Sequence, residues 1–296
     1  HANERLALIS KMLHISGEAI LIADAQRHIV AVNPAFAEIT GYSAAEVMGK
    51  NPNILSSGKQ SAEFYQTMWA SIYEAGQWQG EIWNRRKNGE VYPEWLSIGV
   101  VRNHKGELIN FISSFSDITT RKAAEQKIEF LAHYDALTRL PNRALFADRL
   151  DLALLATGRN EKKVALLFLD LDKFKNINDT MGHLAGDILL QSVAERLKSC
   201  VRESDTICRQ GGDEFMILLP DVDNADDVEN VAKKIITAME SPHPIALDGQ
   251  DIVVTFSVGI SIFPDNAEDS ETLIKCADAA MYRAKAQGRN NYQFYA

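Results

Sequence analysis

The chain has 296 residues, 46% hydrophobic and 24% charged, the make-up of an ordinary globular protein of about two domains. With 31 basic against 40 acidic residues and a formal net charge of −9, it lacks the basic excess of a broad nucleic-acid surface, so no nucleic-acid partner is expected. Its 3 cysteines, Cys200, Cys208 and Cys276, form no CxxC pair, which argues against a zinc site or disulfide framework and suits a reducing compartment.

In chain order, residues 1–118 open with a lead helix and continue as a small sheet, in which the runs 19–22 and 29–32 alternate between turn signals. Residues 61–74 set Phe64, Met68 and Ile72 at helical spacing. The stretch QGEIWNRRKNGEVYPEWLS (79–97) reads as a hairpin about Asn88-Gly89, and a second hairpin surrounds residues 103–106. In TTRKAAEQKIEFLAH (119–133), Ala124, Ile128 and Leu131 share one helical face among charges. That suits a spacer helix or a short two-chain coiled coil, and with no glycine or proline it transmits torque. Residues 134–296 then alternate helices (144–156, 186–202, 226–240, 271–287) with strands (164–171, 205–209, 215–219, 252–262). The fold class expected is α+β.

The stretch CRQGGDEFMILL (208–219) packs two glycines and two carboxylates between apolar runs. A tight hairpin demands Gly211-Gly212, and the acids alone would merely solvate the turn. The strand VALLFL (164–169), however, ends in Asp170-Leu171-Asp172. If it lies beside the hairpin, Asp170, Asp213 and Glu214 converge. Carboxylates that close repel unless divalent cations lie between them, and oxygen-only ligands favour Mg²⁺ or Mn²⁺ over zinc. Such ions serve in-line phosphoryl or nucleotidyl transfer.

Motifs in order along residues 134–295 resemble a GGDEF domain, the diguanylate cyclase family: DALTRLPNR (135–143), FLDLDKFKNINDTMGHLAGD (168–187), RESDTICRQGGDEF (202–215), TFSVGIS (255–261) and ADAAMYRAKAQGRN (277–290). The resemblance implies a palm-like, adenylyl-cyclase-like sheet flanked by helices, and condensation of two GTP into cyclic di-GMP with release of two pyrophosphates. It implies a catalytic turn of Gly211, Gly212, Asp213 and Glu214. Asp170, the Leu171 carbonyl, Asp213 and Glu214 would hold Mg²⁺ or Mn²⁺, with Glu214 either a ligand or an activator of the attacking 3′-hydroxyl. Asn178 and Asp187 would read the guanine edge, Lys175, Lys285 and Arg289 would neutralise the outer phosphates, and Phe174 joins the GTP-binding set. Lys285 and Arg289, four apart, are expected on one face of the last helix. Arg202 and Asp205 form RxxD at the spacing of an inhibitory product site. Each has a local alternative: Lys285 and Arg289 complementing a helix dipole, Asn178 capping a helix or turn, RxxD as a local ion pair. Asp172 reads as structural, His183 as packing, and Asp135, Asn142 and Arg143 as fixing the entry to the domain. One domain holds one GTP, so a homodimer through the linker helix and first domain is implied.

The first domain resembles a PAS domain, in AVNPAFAEITGYSAAEVMGKNPNILSSG (31–58), GEIWNRRKNGEVYPEWLSI (80–98) and Asp117-Ile118-Thr119. That implies an antiparallel sheet with flanking helices and a sensory role with an unknown ligand. The light-sensing cysteine is absent, since the corresponding text is Gly49-Lys50-Asn51-Pro52. His14 in the lead helix and His28 and His104 in turns argue against haem. FAD is a candidate if Trp69, Trp78, Trp83 and Trp95 line a pocket, although core packing is their commoner use.

The domains expected are thus a PAS sensory domain (1–118), a helical linker (119–133) and a GGDEF domain (134–296). A catalytically weak, GTP-binding GGDEF module that tunes a downstream EAL phosphodiesterase is the alternative, because the ending NNYQFYA resembles the junction in such composite proteins. Gln210, where the family generally has an apolar or aromatic residue, is expected to disturb packing under the turn. No apolar run reaches the ~18 residues of a membrane span and no signal peptide opens the chain, so a cytoplasmic location is expected. The start at His1 reads as an excised piece, and a membrane anchor of the parent protein would lie outside it.

Overall fold

A computed structural model describes residues 17–160, 162–245 and 250–296. The expected lead helix, with His14, lies outside the described residues. Among these no helix is long and apolar enough to cross a membrane. The chain divides into two compact units, residues 1–126 and 127–296.

The first unit is built on a five-stranded antiparallel sheet of order β2-β1-β5-β4-β3. Its strands are β1 (Ala19–Asp24), β2 (Ile29–Val32), β3 (Gln77–Arg85), β4 (Val91–Arg102) and β5 (Leu108–Asp117). Both expected hairpins form, with Gly89 (φ 92°) and Gly106 (φ 81°) in left-handed turns. Short helices cover one face: α1 (Pro34–Thr40), α2 (Ala44–Val47), a 3₁₀ turn (Pro52–Leu55) and α3 (Ala62–Ala75). Asn33 caps α1, its Oδ1 accepting from Phe36 N at 3.1 Å, and Pro34 starts the helix where its missing N–H leaves no bond unmade. In α3 the expected stripe turns inward at Met68 and Ile72, which are buried. The linker is a helix, α4 (Thr119–His133), with no buried residue.

The second unit carries a mixed five-stranded sheet of order β12-β11-β6-β8-β7. These strands are β6 (Lys163–Leu171), β7 (Thr206–Gly211), β8 (Glu214–Val222), β11 (Phe256–Phe263) and β12 (Asn291–Phe294). A two-stranded ribbon, β9 (His243–Ile245) with β10 (Gln250–Ile252), stands apart. The helices are α5 (Arg143–Asn160), α6 (Phe174–Met181), α7 (His183–Cys200), α8 (Ala225–Met239) and α9 (Ser270–Ala286). β6 is central and buried on both faces: Ala165, Leu167 and Leu169 join one apolar cluster, while Val164, Leu166 and Phe168 join another. An uninterrupted apolar run is the mark of such a strand.

The single strand expected over 252–262 is two elements. β10 ends at Ile252 and β11 starts at Phe256, because the intervening chain turns to Asp172: Thr255 O accepts from Asp172 N at 2.9 Å and Thr255 Oγ1 donates to Asp172 Oδ2 at 2.6 Å. Helix α6 and edge strand β12, which pairs parallel with β11, were not expected.

Candidate active site

The apolar run of β6 ends in Asp170-Leu171-Asp172, which brings two acids to the carboxyl end of the central strand. The turn between β7 and β8 uses Gly211 (φ 153°) and Gly212 (φ 55°), backbone conformations that a Cβ disfavours. It sets Asp213 and Glu214 beside β6. Glu214 lies across from Asp170 in the register, and Leu171 N donates to Asp213 O at 3.2 Å. Strand alternation puts Asp170 and Glu214 on the face that α9 covers, from which Lys285 Nζ reaches to 2.7 Å of Asp170 Oδ2. Burial pushes the Asp170 carboxyl above its usual range against the pull of Lys285, and Asp213 and Asp172 add to the rise. Burial, then the charges of Asp170 and Asp213, push Glu214 up as well.

The expected convergence of the carboxylates holds for their backbone positions but not for their side chains. Among the described residues no three His, Cys, Asp or Glu side chains gather as a ready-made metal site. Like charges repel, and Asp170 pairs with the Lys285 ammonium instead. The donor set is all oxygen and Asp170 already seats a cation, a chemistry that fits Mg²⁺ or Mn²⁺.

Asn178 sits within α6, its backbone O accepting from Gly182 N at 2.9 Å. Its side chain meets Gly186 on α7, where a Cβ would lie 2.0 Å from Asn178 Oδ1. Only glycine permits this approach. Lys175 on α6 and Asp187 on α7 are exposed. Phe174 is 8% exposed, its ring packed in the core, which leaves its backbone as the part able to meet a nucleotide. The expectation that Lys285 and Arg289 share a helix face also fails. α9 ends at Ala286, and Gly288 (φ 111°), Arg289 (φ 64°) and Asn290 (φ 48°) form a left-handed turn beyond it.

Arg202 and Asp205 meet through the backbone rather than as an ion pair: Asp205 Oδ2 accepts from Arg202 N at 2.8 Å. Both line a groove of about 380 Å³ together with Arg149 and Lys198.

Arg209 escaped the sequence analysis. Its Nε and Nη2 donate to Gly212 O at 3.0 and 2.8 Å, bracing the turn, while Nη1 meets both Asp135 oxygens at 3.1 and 3.2 Å. Burial opposes ionisation of Asp135, yet its bonds from Thr138 and Arg209 hold the carboxyl below the usual range. The available signal was a lone arginine in an apolar strand, which needs a partner. Asn142 Nδ2 donates to Leu131 O and Ala132 O at 3.2 and 3.0 Å, closing the end of the linker helix onto the entry loop.

The first unit has its own cavity of about 380 Å³, lined in part by Asn53, Trp69, Asn84, Glu94 and Phe111. The four tryptophans do not gather round this cavity, the condition set for an FAD site. Only Trp69 lines the cavity, Trp78 packs edge-on against Phe64 at 5.9 Å, and Trp83 and Trp95 are 36% and 39% exposed. His28 and His104 lie exposed and away from the lining. Glu94, 1% exposed, accepts from Asn84 Nδ2 at 2.8 Å and from the Tyr92 hydroxyl at 2.7 Å, and burial pushes its carboxyl up to about 7.

Comparison with known proteins follows the same division. The family model "Diguanylate cyclase, GGDEF domain" matches residues 132–291, and the PAS domain model matches residues 17–120. Diguanylate cyclase TpbB of Pseudomonas aeruginosa is 42% identical over 160 residues, covering 54% of this chain and 37% of that protein. Cyclic di-GMP phosphodiesterase PdeR of Escherichia coli is 31% identical over 288 residues, 97% of this chain and 43% of that protein. The chain therefore spans less than half the length of these curated relatives. The coiled coil and GGDEF domain of DgcB from Caulobacter crescentus, solved with c-di-GMP, is similar at TM-score 0.54 and 29% identity, over 59% of this chain and 91% of that one. The chain belongs to the GGDEF diguanylate cyclase family, with a PAS domain ahead of its GGDEF domain.

Proposed function

We propose that this chain condenses two GTP molecules into cyclic di-GMP and two pyrophosphates. The observation that carries the reading is the pairing of Asp170 with Glu214 across β6 and β8, beside a glycine turn and under Lys285. Asp170, the Leu171 carbonyl, Asp213 and Glu214 would hold Mg²⁺ or Mn²⁺, which supplies charge neutralisation at the reacting phosphates when bound. Lys285 gives up Asp170 and turns to the outer phosphates with Lys175 and Arg289. Asn178 and Asp187 take the guanine edge. Glu214, beside Asp170 at the end of the strands, is either a further ligand of the metal ion or the group that receives the 3′-hydroxyl proton. Each 3′-oxygen attacks the α-phosphorus of the other nucleotide and expels one pyrophosphate, so two domains must face each other. The linker helix supports a homodimer: Ala124, Ile128 and Leu131 lie exposed along one face. The PAS domain would act on this geometry through the helix.

Incubating the purified chain with GTP and Mg²⁺ and separating the nucleotides by chromatography tests the reading: cyclic di-GMP accumulates. Bound GTP with no product would instead favour the second reading, a GTP-binding module tuning a phosphodiesterase elsewhere in a longer protein. The likeness to PdeR over nearly the whole chain supports that alternative.

Cyclic di-GMP would also inhibit from the groove at Arg202 and Asp205. The exposed Arg202 side chain and the cationic lining support this reading. Arg202→Ala is expected to relieve inhibition without changing initial turnover, and equal inhibition of variant and parent removes the assignment.

A further inference from the structure

Asp172 has no part in the chemistry above, yet its carboxylate is among the most heavily bonded groups near the site. It is 7% exposed and accepts from Thr255 Oγ1 at 2.6 Å and from Ser257 Oγ at 2.7 Å. Neutral hydroxyls of β11 and its approach therefore fix its orientation. With one oxygen it also accepts from Asn290 N at 3.1 Å, a bond that reaches into the turn after α9. That turn is unusual: Arg289 and Asn290, both bearing side chains, hold φ of 64° and 48° in succession. Such conformations persist only where the surroundings over-determine them. Here Ala284 O accepts from Arg289 N at 3.2 Å and from Asn291 Nδ2 at 2.9 Å, which closes the turn on the helix. Asp172 supplies the tie to the sheet. The Arg289 guanidinium lies near the same carboxylate, its Nε 3.9 Å from Oδ1, too far for a hydrogen bond, and the side chain is 51% exposed. It is held by charge without being consumed, and its donors stay free for an anion.

We infer that Asp172 is the positioning residue of the triphosphate site: it locks the left-handed turn to the sheet and aims Arg289 at the outer phosphates of the bound nucleotide. The inference rests on the reading of Arg289 as a phosphate ligand. The acid pair at the end of β6 then divides its labour. Asp170 holds Lys285 exchangeably through a side-chain contact, and Asp172 holds the Arg289 turn permanently through the backbone.

The experiment uses the full chain with Mg²⁺ and measures affinity for a GTP analogue with a methylene in place of the α,β-bridging oxygen, against affinity for GMP, which lacks the outer phosphates. Arg289→Ala and Asp172→Asn should each weaken the analogue by about tenfold and leave GMP unchanged, the loss of one charge-assisted contact. Combined, they should lose little more than either alone, since both act through one contact. Ser257→Ala, which removes one support of the carboxylate, should weaken the analogue by about twofold and serves if Asp172→Asn does not fold. If Arg289→Ala leaves the analogue unaffected, the phosphate reading itself fails. If Arg289→Ala weakens it but Asp172→Asn does not, or weakens GMP equally, or adds in full to Arg289→Ala, the positioning role is overturned while the phosphate reading stands.

Discussion

Glu94 in the PAS unit and Asp170 in the GGDEF unit are both buried carboxyls, and they are handled in opposite ways. Glu94 in the PAS unit faces neutral donors, Asn84 and Tyr92, and its proton affinity rises to about 7. Asp170 in the GGDEF unit faces an ammonium, Lys285, and two further acids. A buried acid among neutral partners contributes structure and a titration near neutrality. A buried acid beside an exchangeable cation keeps a place for charge that arrives with a ligand. The difference teaches that burial alone does not mark an active site; the counter-charge does.

The largest effect expected from this contrast is on chemistry. Asp170→Asn should lower cyclic di-GMP formation by more than about a hundredfold, beyond the loss typical of an outer-shell partner. Initial rates of product formation measure it, and turnover within a few-fold of the parent would erase the distinction drawn between the two acids.

A second effect is on stability against pH, and it runs in opposite directions in the two units. An unfolded glutamate ionises above 4.5 but folded Glu94 only near 7, so the PAS unit loses stability as pH rises between these values and levels off above them. The loss is on the order of 3 kcal/mol. In the GGDEF unit His243 is fully buried, with Nδ1 paired to Ser192 Oγ at 2.8 Å and Nε2 meeting Arg196 Nη1 at 2.9 Å. Burial and the Arg196 charge lower it from 6.5 to about 4. An unfolded histidine gains its proton first, so this unit weakens as pH falls from 6.5 towards 4, by about 3 kcal/mol. All 4 tryptophans, Trp69, Trp78, Trp83 and Trp95, lie in the PAS unit. Tryptophan fluorescence therefore follows one transition, and calorimetry reveals the other. Glu94→Gln should flatten the first pH limb and leave the second, and a shared pH profile would break the contrast.

The smallest effect sharpens the account of the turn. Gln210 Oε1 is buried without a partner, the one such side-chain atom among the described residues. Gln210→Leu should raise the unfolding free energy of the GGDEF unit by about 1 kcal/mol, read from its denaturation midpoint, because an unmet acceptor costs more than an apolar group of similar size. A fall in stability would mean that the amide has a partner in solution.

Much of the fold was legible because local rules decide it. Asn88-Gly89 signals a hairpin in any context, and VALLFL reads as a central strand because both of its faces are apolar. The misses share a cause. Arg289 appeared to continue a helix because spacing says nothing of where the helix stops, and the run around Ile252 looked continuous although Asp172 draws Thr255 out of it. Composition left open whether the tryptophans line a pocket or pack, and the sheet leaves Trp83 and Trp95 in part exposed.

By itself the sequence determined most of the helices and strands, though not α6 or β12, and which strand ends in acids, since hydrophobic period, turn residues and motif order are properties of neighbouring residues. Only the tertiary structure decided which charges answer one another: Lys285 with Asp170, Arg209 with Asp135, the Arg289 turn with Asp172. Those partners are separated by 74 to 118 positions in the chain, and electrostatic attraction depends on distance through space, which only the packed sheet and helices set.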